Sequence, residues 1–159
     1  MRPRPDVDPE DAKAARAAAL ALLARRDHPA GEVVVKLQAR GFSAATATAV
    51  AHALVAERLV NDERFVENFI AYHAGRGQGP LKVRAELRHA GVDPTLIDAQ
   101  IEAYGQWDAR AREARQKKFG AGVCDDYGEK ARQSRFLAQR GFTGAQIRAA
   151  LDFDPDYET

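Results

Sequence analysis

Apolar residues return along this chain in steps of three and four, the spacing that gathers side chains on one face of an α-helix. Val33, Val34 and Leu37 form one such face, and Val83 and Leu87 another. Longer stripes run through Ala47, Val50, Ala51, Leu54 and Val55, through Ile97, Ile101 and Tyr104, and through Ile147, Ala150 and Leu151. No alternating apolar and polar stretch is long enough for a strand, so the pattern predicts an all-α fold.

The faces repeat. Three Leu-x-x-x-Gly motifs, Leu37/Gly41, Leu87/Gly91 and Leu137/Gly141, stand fifty residues apart. Each glycine precedes an apolar residue (Phe42, Val92 or Phe142) and then a good helix N-cap (Ser43, Asp93 or Thr143). A glycine in the left-handed conformation ends a helix, and a Ser, Thr or Asp oxygen accepts from the first free N–H groups of the next. Every motif therefore reads as helix, glycine C-cap, buried apolar residue, N-cap, helix. The third copy carries Gln133 and Ser134 where the others are apolar, so its packing is expected to be looser or different.

A further helix precedes each pair. Asp8-Pro9-Glu10-Asp11 predicts the first, with Asp8 as cap, Pro9 at the first helical position and Ala19, Leu20, Leu22 and Leu23 as its stripe. Asn61-Asp62-Glu63 predicts the second, leading to Phe65, Val66, Phe69, Ile70 and Tyr72. The third runs from about Gln106 through Trp107, Ala111 and Ala114 to Phe119. Breaks fall at Asp27-His28-Pro29, Gly75 to Pro80 and Gly120 to Val123. The expectation is nine helices in three tandem three-helix units forming an elongated array: residues 1–59, 60–105, and 106–159 with an acidic C-terminal tail.

Charge changes this picture only locally. The chain of 159 residues carries 24 basic and 23 acidic side chains. Between Ala109 and Ala150, however, ten bases face four acids, whereas Asp152, Asp154, Asp156 and Glu158 have no base among them. Such asymmetry suggests a charged partner or self-shielding. Apolar runs such as Ala17 to Ala24 fall short of the roughly 20 residues that cross a bilayer, and no apolar secretory core follows Met1. A cytoplasmic protein with no membrane partner is expected. Cys124, the single cysteine, excludes an intramolecular disulfide and reads as a packed structural thiol.

Candidate chemistry is sparse. His28, His52, His73 and His89 are scattered, without the i,i+4 pairing or neighbouring carboxylate of a metal site. Ser43 is already used as a cap, and Asp125 and Asp126 read as first-turn acids facing a helix dipole. The Gly75 to Pro80 loop lacks the Gly-Lys-Ser/Thr ending of a phosphate loop. No catalytic residue, metal or cofactor is expected. A helix-turn-helix reader of base sequence is disfavoured by the short side chains Ser43-Ala44-Ala45-Thr46 and by Asp93-Pro94-Thr95. Non-specific polyanion contact stays open. Arg110, Arg112, Arg115, Lys117 and Lys118 have only Glu113 against them, and Lys130, Arg132, Arg135 and Arg140 follow. Against this, the first five spread round more than half of a helix and could be a solvated surface.

At specific segments the chain resembles the RecX regulatory proteins. These are Leu22-Leu23-Ala24-Arg25-Arg26, Lys36-Leu37 with Arg40-Gly41-Phe42, and Leu59-Val60-Asn61-Asp62-Glu63-Arg64-Phe65 with Phe69. They continue in Gly79-Pro80-Leu81-Lys82-Val83-Arg84-Ala85-Glu86-Leu87, Lys117-Lys118-Phe119, Arg135-Phe136-Leu137 and Arg140-Gly141-Phe142. The resemblance spans about Leu20 to Leu151. Gly31 to Val35 is more apolar than the usual family version, and the arginine expected before Gly-Pro is present only as Arg76. The resemblance implies a monomeric, non-enzymatic regulator that binds RecA recombinase filaments along their groove and restrains strand exchange, ATP hydrolysis and co-protease activity. It also implies weak single-stranded DNA affinity, so direct nucleic-acid binding is retained as the alternative. Among family positions, Arg64, Arg76, Lys82, Arg84 and Arg88 are the expected contacts, alongside the nine bases of the third unit named above.

Overall fold

The computed structural model describes residues 6–123 and 125–152. Cys124 and the tail acids Asp154, Asp156 and Glu158 lie outside them. Among the described residues there are nine helices and no strand: α1 Ala12–Arg25, α2 Ala30–Ala39, α3 Ala44–Ala56, α4 Asp62–Gly75, α5 Pro80–His89, α6 Pro94–Tyr104, α7 Trp107–Phe119, α8 Tyr127–Gln139 and α9 Gly144–Leu151.

The three glycine motifs form the turns that the sequence predicts. After α2, the Phe42 N–H donates back to the Leu37 carbonyl and the Gly41 N–H to Gln38; Leu87/Gly91/Val92 and Leu137/Gly141/Phe142 repeat both bonds. Gly41, Gly91 and Gly141 all have positive φ, as this closure requires. Ser43, Asp93 and Thr143 then accept from the N–H groups of Thr46, Thr95 and Gln146, and Gln146 returns the bond to complete a capping box.

The first helix starts three residues later than expected. Asp8-Pro9-Glu10-Asp11 is a turn, closed by Asp11 N–H on the Asp8 carbonyl, and Asp11 is the N-cap of α1. A tertiary bond explains the delay: the Pro9 carbonyl accepts from Ser43 N–H, so it does not begin the helical ladder. Asp126, likewise, is the N-cap of α8 and not a first-turn acid.

The chain packs as two compact units, one within Met1–Val66 and Leu87–Leu96, the other within Glu67–Glu86 and Ile97–Thr159. The core of the first joins Ala15 and Ala19 of α1, Val33 and Leu37 of α2, and Ala47, Val50, Ala51 and Leu54 of α3, closed by Phe42 and Val60. Three stripe residues fall outside the cores: Leu20, Val55 and Tyr72 are exposed.

The α5–α6 turn belongs to the first unit because it abuts α2. A Cβ on Gly31 would stand 2.8 Å from the Gly91 carbonyl oxygen. The second unit repeats this seam fifty residues on, where the first turn of α5 lies on the α8–α9 turn. There the N–H groups of Gly79 and Leu81 donate to the carbonyls of Arg140 and Gly141 at 2.7 and 2.9 Å. In this way the N–H of Leu81 in the first turn of α5 and the carbonyl of Arg140, the C-cap of α8, both find partners in the seam.

Near this seam, Ala111 and Ala114 of α7 meet Leu137, Phe142 and Ala150, with Phe136 and Ile147 packed alongside. Here the departure at Gln133 gains a physical form. Gln133 is buried, and its side-chain oxygen accepts from the Nε of Arg115 at 2.8 Å; a further Arg115 nitrogen donates to the Gly122 carbonyl. Arg115 is itself only 2% exposed, so the expected partner contact at this position is corrected to an interior polar link. The remaining N–H groups of Gln133 reach Glu129, which extends the link to a carboxylate.

Candidate partner-binding site

The second unit gathers five of the expected contact residues round one cavity of about 520 Å³: Arg76 after α4, Arg110, Lys117 and Lys118 on α7, and Arg140 at the end of α8. Among the described residues Glu113 is the one carboxylate on its wall, and Phe136 and Ala114 line its apolar side. Gly75 and Gly77 contribute bare backbone. The turn around Gly77 adopts φ +83°, which closes the chain after α4 without placing a side chain in the opening.

These cations are held chiefly by neutral groups. Arg76 donates to the Tyr72 hydroxyl at 2.6 Å, one helical turn back, and its guanidinium lies 5.2 Å from that ring's centre. The Nε of Arg110 donates to the Tyr104 hydroxyl at 2.8 Å, while a second nitrogen pairs with Glu113 at 2.9 Å. Together these contacts raise the Arg110 pKa, the tyrosine bond first and the carboxylate second, and hold the group firmly cationic. Lys118 and Arg140 stand 5.8 and 5.6 Å from the centre of the Phe136 ring, within cation–π range. Arg140 also donates to the Arg76 carbonyl at 3.4 Å, yet its Nε is buried with no partner.

The other expected residues are placed elsewhere. Arg64, in the first unit, pairs with Asp27 at 3.4 Å. Arg88 is exposed at the last turn of α5, and Lys82 packs its Cβ beneath Gly141. Arg132 pairs with Glu129 at 3.4 Å and lies 5.0 Å from the Phe119 ring centre. Arg112 and Lys130 are half-buried and Arg135 is exposed; none of the three lines the cavity.

Arg84 faces a second groove of about 440 Å³, where it pairs with Asp98 at 2.9 Å. Leu81, 47% exposed, stands beside it with Glu102, Thr143 and Gln146. Trp107 forms the floor and donates its indole N–H to the Ile101 carbonyl at 2.8 Å. One opening is thus strongly cationic, and the other mixes both charge signs with apolar surface.

The residues that hold these cations are harder to find from sequence. Tyr72 and Arg76 have i,i+4 spacing, which was a legible signal. Tyr104 and Arg110 meet across the α6–α7 break, and Phe136 reaches the cavity only through the α7–α8 packing, so neither had a local signature. Among the described residues no three His, Cys, Asp or Glu side chains gather as a metal site, and no helix is long and apolar enough to cross a membrane.

Comparison with known proteins gives a consistent relationship. Residues 15–54, 61–99 and 106–151 match, in order, the models of the first, second and third three-helix domains of RecX. The regulatory protein RecX of Halorhodospira halophila (strain DSM 244 / SL1) is 45% identical over 139 residues, 87% of this chain and 86% of the relative. That of Stenotrophomonas maltophilia (strain K279a) is 39% identical over 139 residues, 87% and 85% of the two chains. The crystal structure of RecX from Lactobacillus salivarius shares the fold with a TM-score of 0.76 at 19% identity, covering 89% of this chain and 97% of that one. On the strength of three matched domains in order and extended identity, this chain belongs to the RecX family of regulatory proteins.

Proposed function

We propose that this protein regulates the RecA recombinase by binding RecA–DNA filaments along their groove and inhibiting recombinase, ATPase and co-protease activity, without catalysing a reaction. In this reading it acts in the cytoplasm as a monomer built of three domains, residues 1–59, 60–105 and 106–159. The observation that carries the reading is the kind of surface a RecX-family chain offers here. Its exposed charged side chains line two open contact regions, one cationic and one of mixed charge with the exposed Leu81, and not a nucleophile with its base. Contacts spread over several protomers of a polymer build avidity without one very tight site.

The mixed groove suits protein. Apolar surface bordered by an Arg–Asp pair is the usual composition of a contact patch, with the charges setting register more than affinity. The test is a titration of the protein against RecA filaments and against bare single-stranded DNA in the same salt. Leu81→Asp with Arg84→Glu is expected to weaken filament binding and inhibition at least tenfold while leaving bare-DNA affinity within a factor of two. The second reading, nucleic-acid binding through non-specific phosphate contacts, is favoured by the convergence of Arg76, Arg110, Lys117, Lys118 and Arg140. It takes precedence if inhibition of RecA follows bare-DNA affinity across variants of both regions.

A further inference from the structure

We propose that the acidic segment at residues 153–159 of this same chain binds the cationic cavity of the second unit and competes there with any outside partner. The contact is an autoinhibitory one, and it rests on the charge and geometry of this unit alone.

The first argument is charge complementarity. Five cations surround the cavity, and Glu113, the one acid on its wall among the described residues, is already paired with Arg110. Like charges held this close repel one another, so an occupant that brings several negative charges gains most. Residues 152–159 read Asp-Phe-Asp-Pro-Asp-Tyr-Glu-Thr, four acids without a base, and they belong to the same compact unit as the cavity. Elsewhere in the fold, arginines meet carboxylates: Arg16 pairs with Glu57, Arg64 with Asp27 and Arg84 with Asp98. In the cavity, by contrast, Arg76 is held by the Tyr72 hydroxyl, and Lys118 and Arg140 lie against the Phe136 ring. Neutral partners orient a cation without cancelling its charge. The Arg140 Nε is buried with no partner, and such a donor calls for an acceptor.

The second argument is spacing. Asp152, Asp154, Asp156 and Glu158 alternate with Phe153, Pro155, Tyr157 and Thr159. On an extended backbone alternate residues share one face, about 7 Å apart, which would set all four acids in a line with both aromatic rings on the opposite side. On a helix the same acids would fall on two opposite sides. Pro155 favours the extended form, because it restricts the residue before it and has no N–H for a helical ladder.

The third argument is reach. Thr143 and Gln146, at the start of α9, share a groove wall with Trp107, the first residue of α7. Ala150, near the end of α9, shares a core cluster with Ala111 and Ala114. The chain therefore leaves α9 beside the later turns of α7, the part that carries Lys117 and Lys118, and Ala114 itself lines the cavity. The seven residues after Asp152 can span roughly 23–25 Å when extended. That is about twice the width of a helix.

The tether makes a weak contact effective. A link of a few residues gives a local concentration on the order of 1 mM, so a segment with a Kd of about 100 µM as a free peptide is bound in its own chain about nine-tenths of the time. An outside anion then binds about tenfold more weakly, in proportion to the fraction of open cavities.

Two measurements on the full chain test this. Carbodiimide coupling joins carboxylates to lysine amines in contact with them. Peptide mapping by mass spectrometry is expected to find Asp154, Asp156 or Glu158 joined to Lys117 or Lys118 within single chains, and to lose those links in about 1 M salt, where the Debye length is ~3 Å. In the second measurement a synthetic peptide of residues 152–159 is titrated calorimetrically into wild type and into Asp154→Asn with Asp156→Asn and Glu158→Gln. The peptide is expected to saturate the variant and to bind wild type about tenfold more weakly. Adding Lys117→Gln and Lys118→Gln, both at exposed positions, should weaken binding to the variant at least tenfold. A control with the same change in net charge, Glu63→Gln with Glu67→Gln and Asp108→Asn, should behave as wild type. The proposal is overturned if the peptide fails to saturate the tail variant, if it binds wild type equally well, or if the control gains as much. Coupling that reaches Lys13 or Lys36 as often as Lys117 and Lys118 overturns it too. Neither measurement involves RecA or a nucleic acid, so failure here leaves filament recognition standing, and a failed filament titration leaves the tail contact standing.

Discussion

At the scale of single residues, three glycines make opposite predictions from the same substitution. Alanine at Gly79 would drive its Cβ into the Gly141 carbonyl, and alanine at Gly141 would sit 2.5 Å from the Lys82 Cβ at φ +94°. Neither contact can relax without opening the α5 seam, so each variant is expected to lose about 2 kcal/mol or more in denaturant unfolding. Gly75, in the last turn of α4, has open space at its Cβ and no positive φ. Gly75→Ala should be neutral or stabilising by up to about 1 kcal/mol, because alanine lowers the entropy of the unfolded chain. Equal melting of the Gly79 and Gly75 variants would show that the seam is not formed. The sequence marks Gly79-Pro80 as a helix start, but that its glycine is needed for backbone approach follows from Gly141, 62 residues away.

His28 makes a residue-scale prediction about pH. It is buried with its Nδ1 2.9 Å from the Arg26 carbonyl, and burial holds its pKa below the ordinary value. The hydrogen bond to the Arg26 carbonyl opposes this, as does the carboxylate of Glu32, while the positive charges of Arg26 and Lys36 add to it. The unfolded chain therefore takes up this proton first, so the neutral imidazole's contribution is complete above about pH 6.5 and declines as the pH falls. His28→Gln should show a smaller loss of melting temperature than wild type between about pH 7 and about pH 5.5. A steeper loss in the variant would mean that the Arg26 carbonyl bond and attraction to Glu32 together outweigh burial.

At the scale of helices, what the chain hides is who caps whom. Pro29 opens α2 with no side-chain cap, and the Ala30 N–H is satisfied by Asp62 of α4 at 2.8 Å. Asp62 reads in sequence as an acid facing its own helix dipole; in the fold it also ties two helices together. Asp62→Ala is expected to destabilise by about 1 kcal/mol, as loss of a helix cap does, with amide exchange quickening in the first turn of α2 as well as in α4. Exchange changes confined to α4 would count against the cross-helix bond.

The Arg115–Gln133 link between α7 and α8 is a second case. Arg115→Ala removes both a packed side chain and the donor to a buried amide, and should cost about 2–4 kcal/mol. Its effect on anion binding should track the folded fraction, because Arg115 does not line the cavity. The expectation of looser packing arose because a polar residue on a core stripe is locally unfavourable; only its partner, eighteen residues earlier, shows it to be satisfied.

At the scale of the whole molecule, local chemistry determined the fold class and tertiary contact determined where the charged side chains gather. The nine helices of the described residues, the glycine turns and their caps follow from side-chain spacing and from φ preferences that act within a few residues, so one sequence suffices to read them. Family membership was legible for the same reason, since its motifs are short and contiguous. The charge excess of the third unit was legible too, but not its arrangement. On helical spacing alone, Arg110 to Lys118 spread round α7 as a solvated helix would. The fold sorts those five by packing: it buries Arg115, keeps Arg112 off the cavity wall, and turns Arg110, Lys117 and Lys118 toward Arg76 and Arg140, which lie far away in sequence. A helix's periodicity states which face is apolar, while the direction in which its charged face looks depends on which neighbour covers the apolar one, and that is decided only when the chain packs.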